Sequence, residues 1–233
     1  HRAGYEFAPE NSLSSIMIAL EQGAEMIEVD VQMTKDNVAV LHHDRTLMKM
    51  AGVSLRVEDL TLEEIKEYDI GRNLYPDIKG EKIPTLEEAL TLIDKKAKVL
   101  LDIKVYKDRE IFASKIVDVI NKTQMKDYVY IQSFDYGILE IIRKKDNLIP
   151  IGQIMYYAIG NLSALDVDFY TIHKSMLSRE LIQSARKDGR SVWVWTLNSE
   201  EDIRNALLYD IDGIITSQFE MAQEILGIKD ILT

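Results

Sequence analysis

Glu28 and Asp30 stand two residues apart in Met26-Ile27-Glu28-Val29-Asp30-Val31, a run that otherwise reads as a buried strand. That spacing sends both carboxylates from the same strand face. A parallel strand covered on both sides is expected to be Val, Ile and Leu nearly throughout. Burying an unpaired carboxylate is costly, so the two acids need cations, hydrogen-bond donors or a metal ion. A structural ion pair with a distant Lys or Arg is the simpler reading. Two acids on one face make a poor structural solution but a good site for a hard cation.

Other chemistry-bearing residues fall where predicted strands end: His1-Arg2, Asp102 and Lys104, Gln132-Ser133, His173 and Trp195-Thr196. Oxygen ligands without thiolates suit Mg²⁺ or Ca²⁺. Arg and Lys beside such an ion suit a phosphate group, whose oxygens Arg can grip with parallel hydrogen bonds. Histidine, with a pKa near ~6.5, takes and gives protons around neutrality. Together these groups describe metal-assisted cleavage of a phosphate ester.

Composition narrows the partners. A formal net charge of −11 over 233 residues argues against non-specific binding to nucleic acid or anionic lipid. An anionic substrate then needs a local cationic pocket. With no cysteine, neither a disulfide frame nor a thiolate metal site is available. No apolar run approaches a membrane span, and no signal peptide is present. The sequence opens at His1, inside a candidate site motif, and so reads as a fragment. An anchor upstream of it would attach the domain to a membrane on the extracytoplasmic face; otherwise a cytoplasmic location is expected.

The elements that position these residues alternate. Ser12 or Asn11 caps a helix carrying Leu13, Ile16, Met17 and Leu20, with Gly23 to end it. The acidic strand follows, then a turn at Thr34-Lys35-Asp36-Asn37 and a short strand Val38-Ala39-Val40-Leu41. A hairpin centred on Asp36 sets His42 opposite Asp30 and brings His43 back beside the carboxylates. Residues 45–82 look like an insertion, with one short helix from the capping box Thr61-Leu62-Glu63-Glu64 amid irregular sequence at Gly71, Pro76 and Gly80. A regular strand–helix rhythm runs from Thr85 to Gly227. With the hairpin's return strand set aside, seven strands alternate with helices, and an eighth would lie just before His1. The expected fold class is α/β: a TIM (β/α)8 barrel forming a single domain over 1–233, with its active site at the C-terminal strand ends.

The motifs His1-Arg2, Pro9-Glu10-Asn11, Glu28-x-Asp30, Thr34-Lys35-Asp36, His43-Asp44, Ile83-Pro84-Thr85-Leu86-Glu87-Glu88, Ile103-Lys104, Gln132-Ser133-Phe134 and Trp195-Thr196-x-Asn198 occur in that order. On them the chain closely resembles the glycerophosphodiester phosphodiesterases over essentially its full length. Ala51-Gly52-Val53 and Asp59-Leu60-Thr61 look most like bacterial members fused to a membrane domain. The resemblance implies a TIM barrel with a small insertion after the His-Asp motif. It implies Glu28, Asp30 and Asp102 as ligands of one divalent cation, Mg²⁺ or Ca²⁺. His1 and His43 become the acid/base pair, and Arg2 and Lys104 bind phosphate. It further implies hydrolysis of a small glycerophosphodiester to sn-glycerol 3-phosphate and an alcohol, through a cyclic phosphate formed by the glycerol 2-hydroxyl. A catalytically silent ligand-binding barrel and a lysophospholipase D-like activity are the alternatives.

Three positions depart from the family pattern. Ala3 stands where glycine is usual, and the following Gly4 is expected to take over the flexible position. Ser12 replaces Thr and should cap equally well. Asp102 replaces Glu, shortening its reach by about 1.5 Å. Among the remaining residues, Trp195 reads as an apolar wall for the glycerol or as rim packing, with Trp193 deeper on the same face. His42 reads as hairpin surface or a supporting donor, and His173, at a strand end, reads equally as pocket lining or as a residue without a role there. Tyr5 and Phe7 either flank the leaving group or merely cover the barrel top.

Overall fold

The computed structural model describes residues 1–71, 74–75 and 78–227; Pro76, placed by sequence in the irregular segment, lies outside them. β1 (Met26–Met33) and β2 (Ala39–Leu41) form an antiparallel hairpin. Its partners Val31–Leu41, Gln32–Val40 and Met33–Ala39 centre it on Asp36. The Thr34 hydroxyl donates to Asp36 Oδ1 at 2.6 Å and accepts the Val38 N–H at 2.9 Å, closing the turn. One step further, the His42 N–H donates to the Asp30 carbonyl at 3.1 Å, so His42 does face Asp30.

β3 (Lys98–Ile103) pairs parallel to β1. Then β4 (Val129–Ser133), β5 (Ile151–Met155), β6 (Phe169–His173), β7 (Ser191–Trp195) and β8 (Gly213–Ile214) each pair parallel to the strand before. The helices are α1 (Leu13–Glu21), α2 (Met48–Ala51), α3 (Leu62–Lys66), α4 (Leu86–Ile93), α5 (Arg109–Lys122), α6 (Tyr136–Lys145), α7 (Arg179–Lys187), α8 (Glu200–Ala206) and α9 (Phe219–Leu226). Between β5 and β6 a single 3₁₀ turn, Leu162–Ala164, replaces the helix. Helix starts follow the capping residues: Thr61 and Thr85 each form a full capping box with a Glu three residues on. Ser12, not Asn11, caps α1, bonding the Ser15 N–H at 3.0 Å.

The strands divide their faces. Ile27, Val29 and Val31 of β1 and Val99, Leu101 and Ile103 of β3 join the large core against the helices. The alternate positions turn to the opposite face of the curled sheet. There Met26, Leu100, Tyr130, Phe169 and Trp193 pack together at one level, while Glu28, Asp30 and Asp102 continue the same rows toward the strand C-termini. Trp193 stacks on Phe169 with ring centroids 4.2 Å apart, the deeper position expected of it. Gly152 makes this packing possible: a Cβ there would lie 2.0 Å from a Phe169 ring carbon.

Segment 45–82 gathers a smaller core, in which Leu47, Met50, Val57, Ile65 and Ile70 pack with Val40 and Ile83. Among the described residues β8 and β1 do not pair, and a cavity of about 1090 Å³ lies between them. Among the described residues no further parallel strand stands between β8 and β1, where the eighth was expected. No helix of the described residues is long and apolar enough to cross a membrane.

Candidate active site

Glu28, Asp30 and Asp102 converge, each offering a carboxylate oxygen within 4.8 Å of the others. The β1–β3 register puts Asp30 directly beside Asp102, and the strand period puts Glu28 on the same face. All three are buried. Burial raises the Glu28 pKa, and the Asp30 charge adds to the rise. Burial pushes the Asp102 carboxyl up to about 7 against the pull of Lys104, with Asp30 and Glu28 contributing repulsion. For Asp30, burial is outweighed by Lys104, His43 and Arg2, which hold it below the usual carboxylate range.

Lys104 bridges two of the acids, its Nζ 2.6 Å from Asp102 Oδ2 and 3.1 Å from Asp30 Oδ1. Burial opposes its charge, but the two carboxylates win and raise its pKa. One cation does not satisfy the cluster. Asp102 Oδ1 is buried and has no hydrogen-bond partner among the described residues. An orphaned buried carboxylate oxygen beside two further acids fits a bound divalent cation, and oxygen-only donors suit Mg²⁺ or Ca²⁺.

The loop after His1 is built around Glu28. The Arg2 N–H donates to Glu28 Oε2 at 2.7 Å and the Ala3 N–H to the Glu28 carbonyl at 2.8 Å. To make both bonds the backbone turns left-handed at Arg2 (φ +55°), Ala3 (φ +58°) and Gly4 (φ +85°). Gly4 takes the left-handed conformation expected of it, but it does not relieve its neighbour. Ala3 itself takes the left-handed conformation, at a cost its methyl group makes unavoidable. Arg2 Nη1 meets Glu10 Oε1 at 3.1 Å, whereas its Nε, 3.6 Å from Asp30 Oδ2, is buried without a hydrogen-bond partner among the described residues. That N–H therefore faces the acid cluster at ion-pair distance without closing a hydrogen bond to it.

Each candidate imidazole is held through Nδ1. His1 Nδ1 shares a hydrogen bond with Ser217 Oγ at 3.0 Å, and His43 Nδ1 donates to Asp44 Oδ1 at 2.6 Å. Although burial opposes it, that bond and the His43 charge keep Asp44 below its ordinary pKa. With Nδ1 engaged, Nε2 is the ring nitrogen each imidazole could offer to a ligand. His42 is buried rather than on the hairpin surface, its Nε2 bonding the Thr46 carbonyl at 3.1 Å.

Trp195 anchors its Nε1 on the Thr171 carbonyl at 3.3 Å and stands between two exposed rings. Phe134 meets it edge-on at 5.8 Å and Tyr156 at 6.1 Å. His173 lines the same wall, stacked on Tyr156 at 4.2 Å. Lys104 Nζ lies 5.9 Å from the Phe134 ring centre, so the wall begins where the charged cluster ends. Tyr5 is half-exposed, its carbonyl accepting from the Tyr75 hydroxyl, and Phe7 is exposed.

Four supporting residues carried no role at the site in the sequence reading. Asn11 bonds Asp30 twice. Glu10 joins Arg2 to Lys49, whose Nζ is 2.6 Å away. Asp44 orients His43. Gln32 Nε2 lies 2.8, 3.0 and 2.7 Å from the carbonyls of His42, His43 and Asp44, pinning the turn that carries the imidazole. Glu10, Asn11 and Asp44 lay inside recognisable motifs. Gln32 had only its place on the Glu28–Asp30 face as a signal.

Residues 1–221 match the model of the Glycerophosphoryl diester phosphodiesterase family. A glycerophosphodiester phosphodiesterase of Caldanaerobacter subterraneus is 33% identical over 231 residues, covering 94% of this chain and 93% of that protein. One from Bacillus altitudinis is 29% identical over 229 residues, covering 93% and 92%. Among solved structures, a glycerophosphodiester phosphodiesterase from Thermotoga maritima superposes with a TM-score of 0.73 at 26% identity, covering 94% of this chain and 91% of that one. An Oleispira antarctica phosphodiesterase, solved with the product sn-glycerol-3-phosphate, superposes at 0.92 with 24% identity, covering 97% and 95%.

Proposed function

The chain belongs to the glycerophosphoryl diester phosphodiesterase family, a TIM-barrel family of phosphoric diester hydrolases, and from that premise we propose that it cleaves a small glycerophosphodiester to sn-glycerol 3-phosphate and an alcohol in a metal-dependent reaction. The observation that carries this reading is the buried acid cluster with an orphaned Asp102 oxygen, set beside an Arg2 Nε that closes no hydrogen bond among the described residues. Glu28, Asp30 and Asp102 hold one divalent cation, Mg²⁺ or Ca²⁺. Such an ion, when bound, supplies charge stabilisation for the phosphoryl oxygens and acidifies the attacking hydroxyl.

Arg2 and Lys104 grip the phosphate, and Trp195 walls the glycerol. The glycerol 2-hydroxyl attacks phosphorus while one of His1 and His43 takes its proton and the other protonates the departing alcohol. Water then opens the cyclic phosphate with the two roles exchanged. Residues 45–82 form an insertion within one catalytic domain; their separate small core supports that division.

Tyr157 and Ile159, exposed beside Tyr156, favour lysophospholipase D-like turnover as a second reading, since an acyl chain on the glycerol would find an apolar surface there. A silent barrel has less support, because both imidazoles keep orienting partners that ligand binding alone would not need. Release of glycerol 3-phosphate from glycerophosphocholine, with and without a chelator, tests the proposal; no release at any divalent ion concentration would refute it. Lysophosphatidylcholine in place of glycerophosphocholine tests the second reading.

A further inference from the structure

A second cavity, about 410 Å³, opens directly against His1 and Arg2 on the side of segment 45–82. Its walls come from two sources: Tyr5 and Glu10 from the first loop, and Lys49, Met50 and Tyr75 from the 45–82 segment. His43 and Trp195 are not among its lining residues. It therefore lies apart from the aromatic wall given to the glycerol. Contacts hold the two sides together: Lys49 Nζ to Glu10 Oε2 at 2.6 Å, and the Tyr75 hydroxyl to the Tyr5 carbonyl.

We propose that this cavity receives the leaving alcohol, that His1 is the imidazole protonating it, and that Lys49 makes the site prefer an alcohol bearing an anionic group. The inference rests on the phosphodiesterase reading above and specifies what that reading leaves open. A phosphoryl group on Arg2, with its glycerol on the Trp195 side, has its other ester oxygen directed to the cavity that Arg2 and His1 share. His43 then takes the proton of the glycerol 2-hydroxyl as its oxygen bonds phosphorus. The P–O bond to the alcohol breaks, and that oxygen takes a proton from His1. Glu10 divides its two oxygens between Arg2 and Lys49, and the phosphate occupies Arg2, so Lys49, partly exposed on the cavity wall, is the cation left to meet a charged group on the alcohol. That one cation, in a chain of net charge −11, favours anionic over quaternary-ammonium leaving groups.

Three diesters of glycerol phosphate, with choline, glycerol and glycerol phosphate as leaving alcohols, are compared in the wild type, Lys49→Met and Lys49→Arg. The expected result is a higher kcat/KM for the glycerol-phosphate diester than for the choline diester. Lys49→Met should lower that ratio about fivefold, the scale of one partly exposed charge, and Lys49→Arg should retain it. In parallel, a 4-nitrophenyl diester, whose phenolate departs without a proton, is compared with the alkyl diesters in His1→Ala and His43→Ala by single-turnover release of the leaving group, which reads the first step alone. His1→Ala should cost about 10²-fold or more on the alkyl diesters and much less on the nitrophenyl one, whereas His43→Ala should cost similarly on both. A ratio untouched by Lys49→Met, or a nitrophenyl diester as sensitive to His1→Ala as the alkyl ones, overturns the inference while leaving the phosphodiesterase reading standing. Wild-type protein turning over none of the diesters overturns both.

Discussion

Asn11 grips Asp30 at two points: its Nδ2 donates to Asp30 Oδ2 at 2.9 Å, and its Oδ1 accepts the Asp30 N–H, also at 2.9 Å. To reach this position Asn11 takes φ +56°, one of the few non-glycine residues that tolerate the left-handed region. One amide thus fixes both the backbone and the carboxylate plane of a proposed metal ligand. Partners of ligating carboxylates commonly matter 10–100-fold to metal affinity. Asn11→Ala should therefore weaken Mg²⁺ or Ca²⁺ binding about tenfold by titration calorimetry. Affinity unchanged in a folded variant would show that Asp30 needs no such partner.

The His43–Asp44 hydrogen bond leads to a paired prediction. His43→Ala should lower kcat on a glycerophosphodiester by about 10²-fold or more, while the circular dichroism spectrum stays native. Asp44→Asn should give a smaller loss, because the imidazole remains but its tautomer is no longer imposed. Substantial activity left in His43→Ala would remove that residue from the reaction.

His42 sets an acid limit on the fold. Burial lowers its pKa from 6.5, and the Thr46 carbonyl only partly opposes this. The folded state thus holds fewer protons at this site than the unfolded chain. Its contribution is whole above pH 6.5 and is lost as pH falls below that value toward the depressed folded pKa. Urea denaturation at a series of pH values should show stability declining from about pH 6.5 downward. In His42→Gln, which keeps an N–H but does not titrate, the decline over that interval should be shallower.

Gly152 has no room for a methyl group. A Cβ there would lie 2.0, 2.3 and 2.4 Å from three Phe169 ring carbons. Gly152→Ala should destabilise the fold by about 1–3 kcal/mol through overpacking. Adding Phe169→Leu should recover part of that loss in a double-mutant cycle, and simple additivity would place the clash elsewhere.

Features coded over a few residues could be read directly. Ser12, Thr61 and Thr85 each accept a backbone N–H three residues on, so helix starts follow from local hydrogen bonding. The hairpin centre at Asp36 fixed the partner of Asp30, and period two put Glu28 beside it. What sequence could not give were contacts closed by the fold. Gln32 looks like any polar strand residue until the hairpin returns three carbonyls to its amide. Ala3 gives no sign of its left-handed backbone, because that follows from two N–H groups reaching Glu28. His42, one residue past β2, reads as hairpin surface or a supporting donor until Thr46 folds over it.

The cluster of Leu47, Met50, Val57, Ile65 and Ile70 is distinct from the barrel core. Changes on the outer skin of 45–82 can accordingly be absorbed locally, without deforming the strands that carry the acids. On the proposed reading, the wall that 45–82 adds to the leaving-group cavity at Lys49, Met50 and Tyr75 can therefore vary while the strands holding the acids keep their register.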